Sequence, residues 1–316
     1  MAVSILLGDC RERLRELADG SVNCCVTSPP YFGLRDYGHD GQIGLEATPD
    51  AFVGQLVEVF REVRRVLRDD GTLWLNLGDS YNAQPGQRRS TDKPGAKQAT
   101  SIGSIGAPSR SVDGLKPKDL IGVPWRVAFA LQADGWYLRQ DIIWAKPNPM
   151  PESVTDRCTK SHEYLFLLAK SAKYYYDAEA IAEAGVGRER YFGSERYSEG
   201  SGRNDSGSYN ADAAETRNKR SVWTVGTQPF REAHFATYPP ALIEPCILAG
   251  CPEGGTVLDP FGGAGTTGLV ADRLRRNAVL CELNPEYAEI ARRRIADEQG
   301  MFASVQIAAL PKDQAA

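Results

Sequence analysis

The chain has 316 residues, 42% of them apolar and 25% charged, which suffices for one large core or two modest ones and sets the expectation of a globular, enzyme-sized protein. No apolar stretch approaches the roughly 18 residues of a membrane span and the N-terminus shows no basic region or cleavage site, so a cytoplasmic protein with no membrane partner is expected. A net charge of −4 excludes a uniformly basic surface, but residues 81–118 carry seven basic side chains (Arg88, Arg89, Lys93, Lys97, Arg110, Lys116, Lys118) against Asp92 and Asp113. That segment is +5 and leaves −9 elsewhere, the distribution of a polyanion-binding loop on an acidic body.

In chain order, Ser4 to Leu7 and Ser21 to Val26 read as short strands flanking a helical pattern from Arg11 to Ala18. Thr48-Pro49-Asp50 has the residues of a helix start, with Thr as N-cap and Pro in the first turn. The amphipathic run continues to Leu67 and is stopped by Asp69-Asp70-Gly71. Thr72 to Leu77 reads as a buried strand. Beyond the basic, Gly/Ser/Pro-rich loop, Asp119 to Ala133 is helical in pattern, and Tyr137 to Trp144 and Tyr164 to Ala169 are β-rich stretches able to pair antiparallel.

Regularity fails from about Gly185 to Arg220, where Gly, Ser, Asn, Arg and Tyr predominate, and the pattern predicts an inserted module. Order returns with a helix from Pro240 to Ala249, a strand from Thr256 to Leu258, a glycine-rich turn and a helix, then a strand from Ala278 to Cys281 and a charged helix from Pro285 to about Glu298. Strands alternating with helices predict an α/β fold whose parallel sheet is covered on both faces. Seven cysteines at irregular spacing, none in Cys-x-x-Cys, read as reduced, mostly buried thiols, and His39, His162 and His234 lie too far apart to suggest a metal site.

Two motifs carry chemistry. Asp259-Pro260-Phe261-Gly262-Gly263-Ala264-Gly265-Thr266-Thr267-Gly268 joins a strand to a helix, where glycines admit close backbone approach and the helix start offers free N–H groups. One strand later stands Glu282, placed to accept both hydroxyls of a ribose, so the pair points to a nucleoside cofactor. Gly263, Gly265 and Gly268 also satisfy the dinucleotide pattern, but only about fifty residues follow, too few for the rest of such a fold.

The second motif, Thr27-Ser28-Pro29-Pro30-Tyr31, follows directly on the apolar strand, at the strand end where open α/β sheets bind ligands. Two prolines offer carbonyl acceptors without a competing N–H, and Ser28 adds another acceptor. Acceptors on the N–H bonds of an aromatic amino group pull its nitrogen toward tetrahedral geometry and free its lone pair. Tyr31 can stack on a base rotated out of the duplex.

With Leu7-Gly8-Asp9-Cys10, Ile143-Trp144-Ala145-Lys146-Pro147-Asn148, His234-Phe235-Ala236-Thr237-Tyr238-Pro239 and Cys281-Glu282-Leu283-Asn284, these motifs make the chain closely resemble the β group of DNA amino-methyltransferases. In that group the catalytic half precedes the cofactor-binding half, and the resemblance spans nearly the whole chain. It implies a Rossmann-like, S-adenosylmethionine-dependent methyltransferase fold with circularly permuted motif order, its mostly parallel sheet bearing one antiparallel hairpin at the edge.

The resemblance further implies S-adenosyl-L-methionine as cofactor, with Asp9 at its adenine, Glu282 at its ribose, and Phe235, Thr237 and the Gly263–Thr267 turn at its methionine portion. Asp259, Phe261, Gly263, Gly265, Thr266, Thr267 and Asn284 join this cofactor set. Ser28, Pro29, Pro30 and Tyr31 are the implied catalytic residues. Duplex DNA is the implied substrate, with Arg35, Arg88, Arg89 and Lys146 near it. A cognate restriction endonuclease is a candidate partner, and the protein is expected as a monomer or homodimer. The catalytic part is expected over residues 1–176 with the basic loop at 80–118, an inserted target-recognition module over 177–222, and the cofactor-binding part over 223–316.

Ser-Pro-Pro-Tyr favours the exocyclic N4 of cytosine and leaves adenine N6 open. Two rival readings also stand. Pro245-Cys246 has the context of a cytosine-C5 nucleophile, although an apolar helical run favours a buried structural thiol there. A catalytically silent DNA-binding protein could share the fold.

Overall fold

A computed structural model describes residues 1–36, 38–39, 41–82, 105–106, 114–185, 216–228, 237–300 and 304–308. The first half begins with β1 (Val3–Leu7) and the one-turn helix α1 (Cys10–Arg13), continues through β2 (Val22–Thr27) and a short β3 (Arg35–Asp36), and reaches α2 (Pro49–Val66) and β4 (Leu67–Leu77). Next come β5 (Ile105–Gly106), which pairs antiparallel with β3, then α3 (Val123–Ala133), β6 (Tyr137–Ala145) and β7 (His162–Ala169). The two-residue strands β8 (Glu183–Ala184) and β9 (Thr216–Arg217) form a small ladder before β10 (Val222–Thr224). The chain then runs through α4 (Pro240–Gly250), β11 (Thr256–Asp259), α5 (Thr266–Arg273), β12 (Asn277–Glu282), α6 (Pro285–Gln299) and β13 (Val305–Ala308).

Nine strands form one sheet in the order β10-β6-β7-β4-β2-β11-β12-β1-β13, and only β7 runs against the rest. Two apolar clusters, one on each face, fill the space between the sheet and its helices. On one face Phe52, Leu56, Val59, Phe60 and Val63 of α2 are wholly buried with Val127 and Leu131 of α3. On the other, Leu242, Ile243 and Ile247 of α4 meet Leu269 and Val270 of α5 and Ala291 and Ile295 of α6. Each fully buried aliphatic or phenyl group of this kind contributes about 1.5–3 kcal/mol of transfer free energy.

The start of α2 follows its sequence signal: Thr48 Oγ1 accepts from the Ala51 N–H at 3.1 Å and Pro49 takes the first helical position. Other elements depart from expectation for local reasons. The helix expected to Ala18 ends at Arg13 and passes through a 3₁₀ turn (Leu14–Glu16), because the chain must reverse at Gly20, where φ is +63°, to enter β2. The helix expected from Asp119 begins at Val123. Residues 119–121 instead return to the end of β4 through the Asn82 N–H to the Asp119 carbonyl (2.8 Å) and the Ile121 N–H to the Ser80 carbonyl (3.0 Å).

Strand β4 starts five residues early through a wide bulge, its pairing with β2 jumping from Val22–Leu67 to Cys24–Thr72. The antiparallel hairpin β6–β7 lies one strand inside the edge, covered by β10, whose Trp223 is buried. The strand β13, too short and too interrupted to be read from its residues, adds an edge beside β1.

Candidate active site

Strands β2 and β11 are parallel neighbours, with Cys24 opposite Val257 and Cys25 opposite Leu258. The Ser-Pro-Pro-Tyr corner and the glycine turn, over 230 residues apart in sequence, therefore leave the sheet side by side. From β2 the chain goes on to β4 on one flank and from β11 to β12 on the other, so the turns diverge and open a crevice between them. Ser28, Pro29, Pro30 and Tyr31 line one wall of the resulting cleft. Phe261, Gly263 and Thr266 line the other, and Asp9, Thr237, Glu282 and Asn284 complete it.

The two turns are riveted from beneath by Asp259. Its Oδ1 accepts from Thr27 Oγ1 at 2.6 Å and from the Phe261 N–H at 3.0 Å, and its Oδ2 from Thr267 Oγ1 at 2.6 Å and Tyr238 OH at 2.9 Å. Total burial raises the pKa of this carboxyl against the opposing pull of its hydrogen bonds. Asp259 and Thr267 thus sit below the cleft floor rather than in it. Gly265 adopts φ +75°, and a Cβ there would lie 2.8 Å from Ala291 Cβ, so it closes the turn against α6.

Glu282 ends β12. Its Oε2 accepts from the Gly263 N–H at 2.7 Å and its Oε1 from the Asn284 N–H at 2.8 Å, and Asn284 Oδ1 in turn caps α6 through the Glu286 N–H. Burial deep in the cleft wall pushes the Glu282 carboxyl up to about 7, with the two N–H donors restraining the rise. Asp9 caps α1 through the Arg11 N–H at 2.8 Å and pairs with the Arg11 guanidinium. Partial burial acts to raise its pKa, and hydrogen bonds and charge from Arg11 outweigh it, so the group lies below the usual carboxylate range.

Tyr31 is held from behind. Its OH donates to Glu163 Oε2 at 2.6 Å, and Glu163 pairs with Lys146 Nζ. Lys146, expected at the DNA, is instead largely enclosed and lies 4.1 Å from the Trp144 ring centroid. The remainder of its motif ties down the segment just past β10: Trp144 Nε1 donates to the Val225 carbonyl at 2.8 Å, and Asn148 Oδ1 accepts from the Thr227 N–H at 3.0 Å.

Of the other expected residues, Arg35 is placed only by its backbone in β3, and Phe235, Arg88 and Arg89 lie outside the described residues. The ends of the basic loop are nonetheless fixed, because Tyr81 bridges to Leu120 just beyond the carboxyl end of β4, on the cleft side of the sheet. Glu163, Asn76, Gly78 and Tyr238 were missed by sequence reasoning. Asn76 gave a usable signal, as a polar residue inside the apolar strand Leu73-Trp74-Leu75-Asn76-Leu77. Cys246 is wholly buried, and burial drives its thiol pKa far up, which removes the thiolate a cytosine-C5 mechanism requires.

The model of the DNA methylase family matches residues 22–293. The chain is 52% identical over 291 residues to the Type II methyltransferase M.Cfr9I of Citrobacter freundii, covering 92% of this chain and 87% of that one. Two solved structures share the fold: the cytosine-N4-specific PvuII DNA methyltransferase (TM-score 0.62, 18% identity, 94% of this chain and 91% of that one) and M1.HpyAVI in complex with SAM (TM-score 0.53, 18% identity, 93% and 98%). With its two halves in this order around one crevice, the chain belongs to the DNA methylase family, whose members act on exocyclic N4 or N6 amino groups.

Proposed function

We propose that this protein transfers a methyl group from S-adenosyl-L-methionine to the N4 of cytosine in duplex DNA, as the modification partner of a restriction endonuclease. The observation that carries the reading is the adjacency of β2 and β11, which joins an amino-group acceptor site to a nucleoside site within one cleft. The cleft fits the cofactor: Glu282 has one N–H donor on each carboxylate oxygen and retains lone pairs for ribose hydroxyls. When bound, S-adenosyl-L-methionine supplies an electrophilic methyl group on a sulfonium centre. Ser28 Oγ and the proline carbonyls orient the amino group by accepting from its N–H bonds. Tyr31 stacks on the extruded base, and the proton lost from nitrogen leaves to solvent.

Ser28 in the Ser-Pro-Pro-Tyr motif favours cytosine over adenine, and the likeness to M.Cfr9I supports a Type II restriction-modification setting. Arg88, Arg89 and the other cations of the basic loop supply phosphate contacts. Sequencing modified bases in DNA from cells expressing the chain tests this directly. N4-methylcytosine in one sequence context is the expected result. N6-methyladenine overturns the choice of base, and unmarked DNA from a folded, DNA-binding protein overturns the activity.

A further inference from the structure

Among the described residues, the Tyr31 hydroxyl has two acceptors in reach of its one proton, Glu163 Oε2 at 2.6 Å and Asn76 Oδ1 at 3.3 Å, and the shorter contact takes it. Asn76 Nδ2 reaches Glu163 Oε2 at 3.2 Å and the Tyr164 carbonyl at 3.1 Å, so the amide holds the carboxylate in place. Lys146 neutralises the other carboxylate oxygen. The side chains of Lys146 and Glu163 are only 17% and 15% exposed, and removing either leaves an enclosed charge. Gly78, just past β4, bounds the ring itself: a Cβ there would sit 2.5 Å from Tyr31 Cε2 and 3.1 Å from Cζ.

Enclosing a carboxylate, an ammonium and an amide around one phenol is costly unless each is hydrogen-bonded, and here they are. Within this cluster only Tyr31 lines the cleft, so whatever the cluster does for the reaction passes through that ring. We propose that Glu163, backed by Lys146 and Asn76, is a positioning residue for methyl transfer. It fixes the Tyr31 ring against Gly78, so that an extruded base meets a preformed stacking face. The proposal rests on the reading of the cleft as a base methyltransferase site.

The test compares single-turnover methyl transfer and S-adenosyl-L-methionine affinity in Glu163→Gln, Tyr31→Phe and the double variant, on duplex DNA carrying the sites found by modified-base sequencing. Glu163→Gln should slow transfer between about 10- and 100-fold while cofactor affinity stays within about twofold, since small misplacements of a positioned group act on the rate. Tyr31→Phe should lose at least as much, and the double variant should be no slower than the slower single one, because Glu163→Gln weakens the charge-assisted hydrogen bond that Tyr31→Phe removes.

Full rate in Glu163→Gln, losses that multiply in the double variant, or a parallel loss of cofactor binding would overturn the proposal. Should Glu163→Gln fail to fold, Gly78→Ala moves the ring from its other side. It should show the same loss of rate without loss of cofactor, and an unchanged rate there overturns the proposal. A fully active Tyr31→Ala sinks the stacking role in the parent reading. An inactive Tyr31→Ala beside a fully active Glu163→Gln sinks this inference alone.

Discussion

In the ribose-binding role proposed for it, Glu282 would tie cofactor binding to pH. Its pKa, pushed up to about 7 by burial, exceeds that of an unfolded glutamate, so the folded state holds more protons between the two values. The stability contributed by the neutral form is complete below pH 4.5 and is lost as pH rises through 7. At pH 8, Glu282→Gln should therefore raise the stability of the cofactor-free protein by up to about 3 kcal/mol, measured by chemical unfolding. Hydroxyl donors prefer the ionised form, so wild-type affinity for S-adenosyl-L-methionine should fall about tenfold per pH unit below 7, with a proton released to the buffer on binding there. Titration calorimetry in buffers of different ionisation enthalpy checks this, and a flat profile between about pH 6 and about pH 8, roughly one unit either side of that pKa, would remove Glu282 from the ribose role. Lys146 teaches the complementary lesson. The family resemblance placed it near DNA, and only the hairpin β6–β7, setting Ala145 opposite His162, revealed Glu163 as its partner.

The packing of α4 on the sheet is decided at its last residue. A Cβ on Gly250 would lie 2.6 Å from Trp74 Nε1, 2.7 Å from Thr72 Oγ1 and 2.9 Å from Cys24 Sγ, atoms belonging to two adjacent strands. Gly250→Ala adds helix propensity, yet overpacking of this kind should lower stability by about 1–3 kcal/mol. Thermal unfolding reads that as a lowered Tm, and an unchanged or raised Tm would mean α4 can shift outward freely. Elements with complete local signals were legible in the sequence. The start of α2, with Thr48, Pro49 and an amphipathic stripe, is one, and the apolar strands β2 and β11 are others. The starts of α3 and β4 were not, because they are set by the hydrogen bonds that the Ser80 carbonyl accepts and the Asn82 N–H donates and by a bulge opposite Val22, partners remote in sequence.

Across the whole molecule, the described residues around both inserted segments bring their ends together. Ala184 pairs with Thr216 and Glu183 with Arg217, whose guanidinium also reaches the Glu183 carboxylate at 3.4 Å. We infer that the target-recognition module expected over 177–222 is held at its base by this ladder. Replacing residues 185–215 by Asn-Gly, which closes an antiparallel two-strand ladder, should leave folding and cofactor affinity intact while abolishing site-specific DNA methylation. Loss of cofactor binding in that variant would show the segment to be part of the body. The sequence by itself determined the α/β class and the two chemical motifs, because each is written in contiguous residues whose spacing and backbone demands are local, and the permuted order of the halves followed from the family resemblance those motifs carry. The tertiary structure alone decided that β2 lies beside β11, that Asp259 bolts the two motifs together from below, and that Tyr31 leans on Glu163. Those contacts join residues more than 130 positions apart, and no local pattern records which distant strand a given strand will choose.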